Sequence, residues 1–406
     1  MPQRVALSFL GTGRYEPTEY QWNGATCTTK FMPVALNELF APDTLLVAET
    51  PGAQAKHGDE LATACDYTSV EVPHATAEAD WWRLFNAMAD AVPEDTTLVV
   101  DITHGFRSQP LLALAVVLYL RVVKDVDIER IVYGAYEAGD GGTSPVVDLT
   151  AFLRIIDWAV ATEQFKAYGD ARPLRTMFRE IADETRSSPR MALNLRPAGE
   201  ALHRVTRALS LNRPIETLTE AEDLVELLEK AMGDVRSVPQ AQPLKRLMLV
   251  LARRFAPLGH ADGSVFAQRG FAAQGAMLRF YVETEQYLQG FTLAQEMLVS
   301  WVCIREGYDP LTQGSGGEER AQYNGRKGAR ALLFDWSDAR NSNADLWTDL
   351  PDKYQQAVTL WNALREYRND VAHAGFSHNP TPAQKLIDEA EDVLYAVADF
   401  MTPDRT

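Results

Sequence analysis

The first 150 residues alternate between two hydrophobic periods, and beyond residue 149 only one of them continues. Apolar runs at residues 5–10, 44–49, 97–103 and 128–136 read as strands, the third with the near-continuous pattern of a parallel sheet buried on both faces. Helical spacing fills the intervals at residues 31–40, 78–92 and 109–123. Strand and helix in alternation predict a doubly wound α/β domain. After that, residues 148–167, 218–232, 275–306, 353–372 and 381–400 all carry helical patterns. Residues 187–197 are too weakly patterned for an element, 259–263 read as a break, and 313–317 as a flexible loop.

A chain of 406 residues is longer than one core usually serves. The shift in pattern predicts an α/β, Rossmann-like domain over residues 1–150, a helical linker region over 151–270 and an all-α domain over 271–406. The longest apolar run, residues 111–123, is shorter than the roughly 20 residues that cross a bilayer. It reads as a buried helix, and with no signal-like N-terminus the expectation is a cytoplasmic protein with no membrane partner. Cys27, Cys65 and Cys303 are far apart and match no metal-ligand spacing, so free thiols and no metal are expected.

The net charge of −17 excludes a protein that coats nucleic acid by charge alone. Any RNA contact must be local. Lys245-Arg246 and Arg253-Arg254 read as solvated helix faces. Arg326-Lys327 and Arg330 lie nearer the motif described next and are candidates for RNA contact, with a solvated face as the alternative.

That motif is WNALREYRNDVAHAGF, residues 361–376. Asn369 and His373 are four apart and share a helix face, with Arg368 beside it. Gly375 stands where a helix often ends. A histidine titrates in the range needed to move a proton from a ribose 2′-OH or onto a leaving group. A guanidinium holds phosphate at two points, and an asparagine can orient either group. Arg and His on a polar face are commonly only solvated. Here the neighbours Trp361, Leu364, Val371 and Phe376 tie the helix to a core.

The segment resembles the catalytic motif of HEPN-domain ribonucleases, in which two copies meet across a homodimer to form one composite site. The resemblance implies Arg368 as catalytic arginine, Asn369 as its polar partner and His373 as catalytic histidine. Residues 275–306 resemble the first helix of such domains.

Two loops stand out in the first 150 residues. Gly11-Thr12-Gly13-Arg14-Tyr15 follows the first strand, where glycines permit close backbone approach to a ligand or simply a tight turn. Glu16 occupies the third-glycine position of a dinucleotide fingerprint, which argues against a nucleotide-dependent oxidoreductase. DITHGFRSQP, residues 101–110, spans a strand end, a loop and a helix start. Its Thr103, His104 and Arg107 would project from the carboxyl edge of the sheet, where open parallel sheets bind ligands and a helix N-terminus favours anions. A purely structural His104 is the plain alternative.

SFLGTGRYEPTEY and DITHGFRSQP, ahead of the C-terminal motif, resemble the CARF sensor domain of CRISPR-associated type III accessory ribonucleases. The resemblance implies a cyclic oligoadenylate activator, four adenylates from the family branch, bound across a two-fold axis. It implies ligand contacts from Gly11, Thr12, Gly13, Tyr15, Thr103, His104, Gly105 and Arg107. It implies a homodimer or an assembly of dimers, and metal-independent cleavage of single-stranded RNA with no cofactor. A rival reading is a non-enzymatic ligand sensor whose HEPN-like domain only dimerises. A further expectation is slow cleavage of the activator itself, with Thr12 or His104 positioning a 2′-OH.

Overall fold

The computed structural model describes residues 2–402, except 105–108, 137–141, 187–192, 239–240, 260–263, 315–323, 343, 373, 377 and 379. Gly105, Arg107 and His373 therefore lie outside the described residues. The chain divides into two compact units, residues 1–156 and 157–406. The first is α/β and the second is helical, the order of classes read from the sequence.

Eight strands build one sheet: β1 (Arg4–Leu10), β2 (Thr18–Trp22), β3 (Ala25–Thr29), β4 (Thr44–Glu49), β5 (Thr68–Glu71), β6 (Thr97–Asp101), β7 (Asp127–Gly134) and β8 (Thr143–Asp148). Their order is β3-β2-β8-β7-β6-β1-β4-β5. From β5 to β7 every pairing is parallel. β8 runs antiparallel to β7, and the β2–β3 hairpin extends that edge. The sheet is thus mixed, with a parallel centre. β1, β4 and β6 are its most deeply buried strands, with helices and apolar side chains on both faces.

Four sequence expectations are corrected here. The strand expected through residue 103 stops at Asp101, because the Asp101 carboxylate turns back to accept the Thr103 N–H at 2.9 Å. The helix expected from 148 begins at Ala151, since Asp148 completes β8. The helix Gln109–Val123 forms as expected but is not buried all round. Ala113, Val116, Val117 and Leu120 face the core while Leu111, Tyr119, Val122 and Val123 are exposed. No helix among the described residues is long and apolar enough to cross a membrane.

The second unit is a set of helices around one continuous core running from Trp158 to Met401. Helices before and after residue 270 share it: Tyr281 donates from its hydroxyl to the Leu209 carbonyl at 2.7 Å, and Arg254 lies over the Phe280 ring. The fourth correction falls in this unit. Residues 275–306 are two helices, Gln268–Glu283 and Tyr287–Arg305, broken at Glu285 with φ +55°. The segment left without an element at 187–197 already enters the helix Leu195–Ser210 at its C-terminal end; residues 187–192 lie outside the described set.

Candidate functional site

β1 and β6 are neighbours in the sheet, so the loops that leave them meet at its carboxyl edge. The contact is tight. A Cβ built on Gly11 would stand 2.7 Å from the His104 carbonyl oxygen, closer than real Cβ atoms come. Here glycine is required by proximity rather than by backbone torsion.

Beneath the loops lies a carboxylate that the motif contained but the sequence reading left out of the site. Asp101 is fully buried and accepts from Ser8 Oγ at 2.5 Å and from the Thr103 amide. The Thr103 hydroxyl also donates to it, while accepting the Gly134 N–H at 2.7 Å. Burial pushes the Asp101 pKa up to about 6, against the lowering effect of these hydrogen bonds. Thr103 is therefore pinned between β6 and β7 by both functions of its hydroxyl.

Rings lock the two loops together. Tyr15 lies 4.2 Å from the His104 ring and 4.9 Å from the His57 ring, centroid to centroid, and Phe31 meets it edge-on. The Tyr15 hydroxyl accepts the Gly11 N–H at 2.9 Å. His104 Nε2 accepts the Met32 N–H at the start of the helix Met32–Phe40. Burial holds the His104 pKa down at about 4, helped by His57 and opposed by a hydrogen bond to the Lys30 backbone. The imidazole is therefore neutral near pH 7 and cannot offer a phosphate a full charge.

Two further residues carried no local sequence signal. Gln54–Gly58 is a π-helical turn, a rare bulge often found at functional sites. It presents Lys56, which donates to the Thr12 carbonyl at 2.7 Å, and His57, whose Nε2 bonds the Gly13 carbonyl at 2.9 Å. Together they hold the outer face of the glycine loop. Beside Thr12, a groove of about 660 Å³ opens at the ends of β4 and β5, with Thr50, Gly52, His74 and Arg83 on its walls. Gly11, Thr12, Gly13, Tyr15, Thr103 and His104 are thus brought to one edge of the sheet.

In the helical unit, Arg368 and Asn369 sit near the end of the helix Asp352–Ala372. Trp361 and Leu364 of that helix are buried, and Tyr367 stacks on Phe291 at 6.0 Å. Arg368 Nη1 approaches Asn369 Oδ1 at 3.4 Å; Asn369 is exposed and Arg368 half-buried. The chain leaves the helix through a Schellman turn: Gly375 N–H donates to the Asp370 carbonyl and Ala374 N–H to that of Val371. Ala374 takes φ +54° to do so.

The nearby cationic cluster is corrected. Arg326 is buried, donating to Ser300 Oγ at 2.9 Å and the Pro310 carbonyl at 2.8 Å, and it pairs with Glu296. Arg330 shares the same carboxylate at 2.7 Å. These two arginines join helices to each other through Glu296; Arg326 is buried and so not a surface contact, while Arg330 is half-buried. Among the described residues no group of three or more His, Cys, Asp or Glu side chains could hold a metal ion.

Fold and site together define a class: an α/β domain with a polar cleft at its parallel strand ends, followed by an all-α domain that presents an Arg-Asn pair at a helix end. No protein-family model matches the chain. It is 22% identical over 327 residues to the CRISPR-associated protein MJ1674 of Methanocaldococcus jannaschii, a stretch covering 79% of this chain. The chain spans 44% of that relative's length. Among solved structures it is similar to Enterococcus italicus Csm6 bound to cyclic hexa-2′-fluoro-hexa-dAMP, with 10% identity and a TM-score of 0.41, over 99% of this chain and 94% of that one.

Proposed function

We propose that the chain is an accessory protein of type III CRISPR antiviral defence, a CARF sensor joined to a HEPN ribonuclease that cuts single-stranded RNA when a cyclic oligoadenylate binds. The observation that carries the reading is the convergence of the two polar loops, Gly11–Gly13 against His104, at a parallel sheet edge. That edge suits a phosphate-bearing ligand, because backbone amides there can approach it closely. The named CRISPR-associated relative supports the same assignment.

In this reading Arg368 binds the scissile phosphate and offsets charge as the ribose 2′-OH attacks. His373 moves the proton, either from the 2′-OH or onto the departing 5′-oxygen. Asn369 orients the guanidinium, which its side-chain oxygen already approaches. The bond from phosphorus to the 5′-oxygen breaks, leaving a 2′,3′-cyclic phosphate and a 5′-hydroxyl. Every step uses groups of the protein and substrate, so the reaction proceeds in EDTA. Two copies of the chain supply the two motifs of one site, and ring size four is the activator expected.

Fluorescent single-stranded RNA is incubated in EDTA with no activator, then with cyclic tri-, tetra- or hexa-adenylate. Cleavage switched on by one ring, and lost by 10²-fold or more in Arg368→Ala and His373→Ala, is the expected result. Ring binding with no cleavage would assign the chain to sensing alone.

A further inference from the structure

A second groove, of about 600 Å³, lies in the helical unit at the far end of the motif helix. Phe266, Phe271, Trp301 and Phe400 contribute its aromatic walls, and Arg305 and Lys353 its charged side chains. No carboxylate lines it among the described residues, although the chain as a whole carries a net charge of −17. Each cation lies over a ring: the Arg305 guanidinium 5.3 Å from Trp301, and Lys353 Nζ 5.1 Å from Phe400. Neither joins an ion pair among the described residues.

We propose that this groove is a second seat for single-stranded RNA, holding nucleotides several positions away from the bond that is cut. The inference rests on the nuclease reading above and extends it to the substrate's flanks. A half-buried ring at Phe266, two cations and no negative charge match a polymer that alternates flat bases with phosphates, while the buried Phe271, Trp301 and Phe400 rings form the floor beneath. An apolar protein partner would leave both cations buried without counter-charge.

Position agrees. Lys353 and Arg368 occupy the two ends of the same helix. At 1.5 Å per residue they stand about 22 Å apart along it. The face of that helix between them is buried against the core at Ala357, Leu360 and Leu364, so the flanking nucleotides reach the groove around the helix, within the ~4–16-nucleotide footprint common to single-strand grooves. Arg305 and Lys353 would meet phosphates, with a base against Phe266.

The test is binding of 2′-O-methyl RNA, which cannot be cut, to the full chain with activator present. A 20-mer and a 4-mer are compared by fluorescence anisotropy. The parent is expected to bind the 20-mer at least 10-fold more tightly. Arg305→Glu with Lys353→Glu is expected to erase that advantage and to lower the salt dependence of 20-mer binding by about 1.4 log units per log unit of salt. Arg305→Lys with Lys353→Arg keeps charge and is expected to keep most of the advantage, which separates charge from misfolding. A charge-reversed protein that retains the parent's advantage overturns the groove and leaves the nuclease reading standing. So does one whose oligomeric state changes while RNA affinity does not, since the groove would then be a contact between copies. A parent that neither binds nor cleaves any RNA with any ring overturns the nuclease reading itself.

Discussion

The α-carbon of Gly11 faces the carbonyl of His104 so closely that one added methyl group would stand 2.7 Å from its oxygen. Two loops from adjacent strands are thereby held in register by the absence of a side chain. Gly11→Ala must push the loops apart or displace the Tyr15 hydroxyl, 3.1 Å from the same point. The expected outcome is a loss of about 1–3 kcal/mol in stability and, on the proposed function, cyclic tetra-adenylate binding weakened at least 10-fold. Urea unfolding and titration calorimetry read the two effects separately.

Asp101 gives the α/β unit a specific pH response. Its folded pKa, about 6, stands above its ordinary value of 3.8, so the folded state holds the proton more tightly. The resulting stability is fully present below the ordinary value and is lost as pH rises through about 6. The difference corresponds to about 3 kcal/mol. Asp101→Asn keeps an acceptor for Thr103 and lets Ser8 accept instead of donate. Relative to this variant, the parent is expected to lose about that much stability between pH 4 and pH 7, measured by urea unfolding at each pH.

Arg326 is a structural cation. Removing it takes a donor from the Pro310 carbonyl and Ser300 Oγ and leaves Glu296 paired with Arg330 alone. Arg326→Ala is expected to cost about 2–4 kcal/mol. RNA affinity of the protein that remains folded should be unchanged, and a selective loss of affinity at full stability would return this arginine to the RNA surface.

Ala374 adopts left-handed backbone at φ +54°, which costs a residue with a Cβ about 1–2 kcal/mol relative to glycine. Ala374→Gly is expected to stabilise the helix end by about 1 kcal/mol, visible as a raised thermal midpoint. No gain would mean that the motif's exit turn has a different geometry in solution.

Much of the fold could be read in advance where burial was two-sided. β1, β4 and β6 announce themselves because almost every residue is apolar. β2 and β3 did not, since TEYQW and ATCTT are polar strands at and beside the sheet edge with few buried positions. Their turn, Asn23-Gly24 with φ +46° and +85°, is a strong hairpin signal that could have revealed them. The break at Glu285 has no such marker: neither glycine nor proline stands there, and packing on either side decides it. The site divides in the same way. Loop glycines and Thr103 were visible as local chemistry. Lys56 and His57 were not, because only the tertiary fold carries them over forty residues to the Thr12 and Gly13 carbonyls. Arg326 misled for the converse reason, since its neutralising partner Glu296 is thirty residues upstream.

The continuous core from Trp158 to Met401 bears on how such a chain can be inherited. A helical domain moved between proteins by recombination would have to carry the helices before residue 270 with it, since a cut there strips Tyr281 and Phe280 of their neighbours. The natural joint lies instead after Ile156, inside the helix Ala151–Tyr168. α/β domains exchanged at that joint must bring the opening turns of a helix that their new host completes, so the sequence of one helix becomes the shared inheritance of both halves.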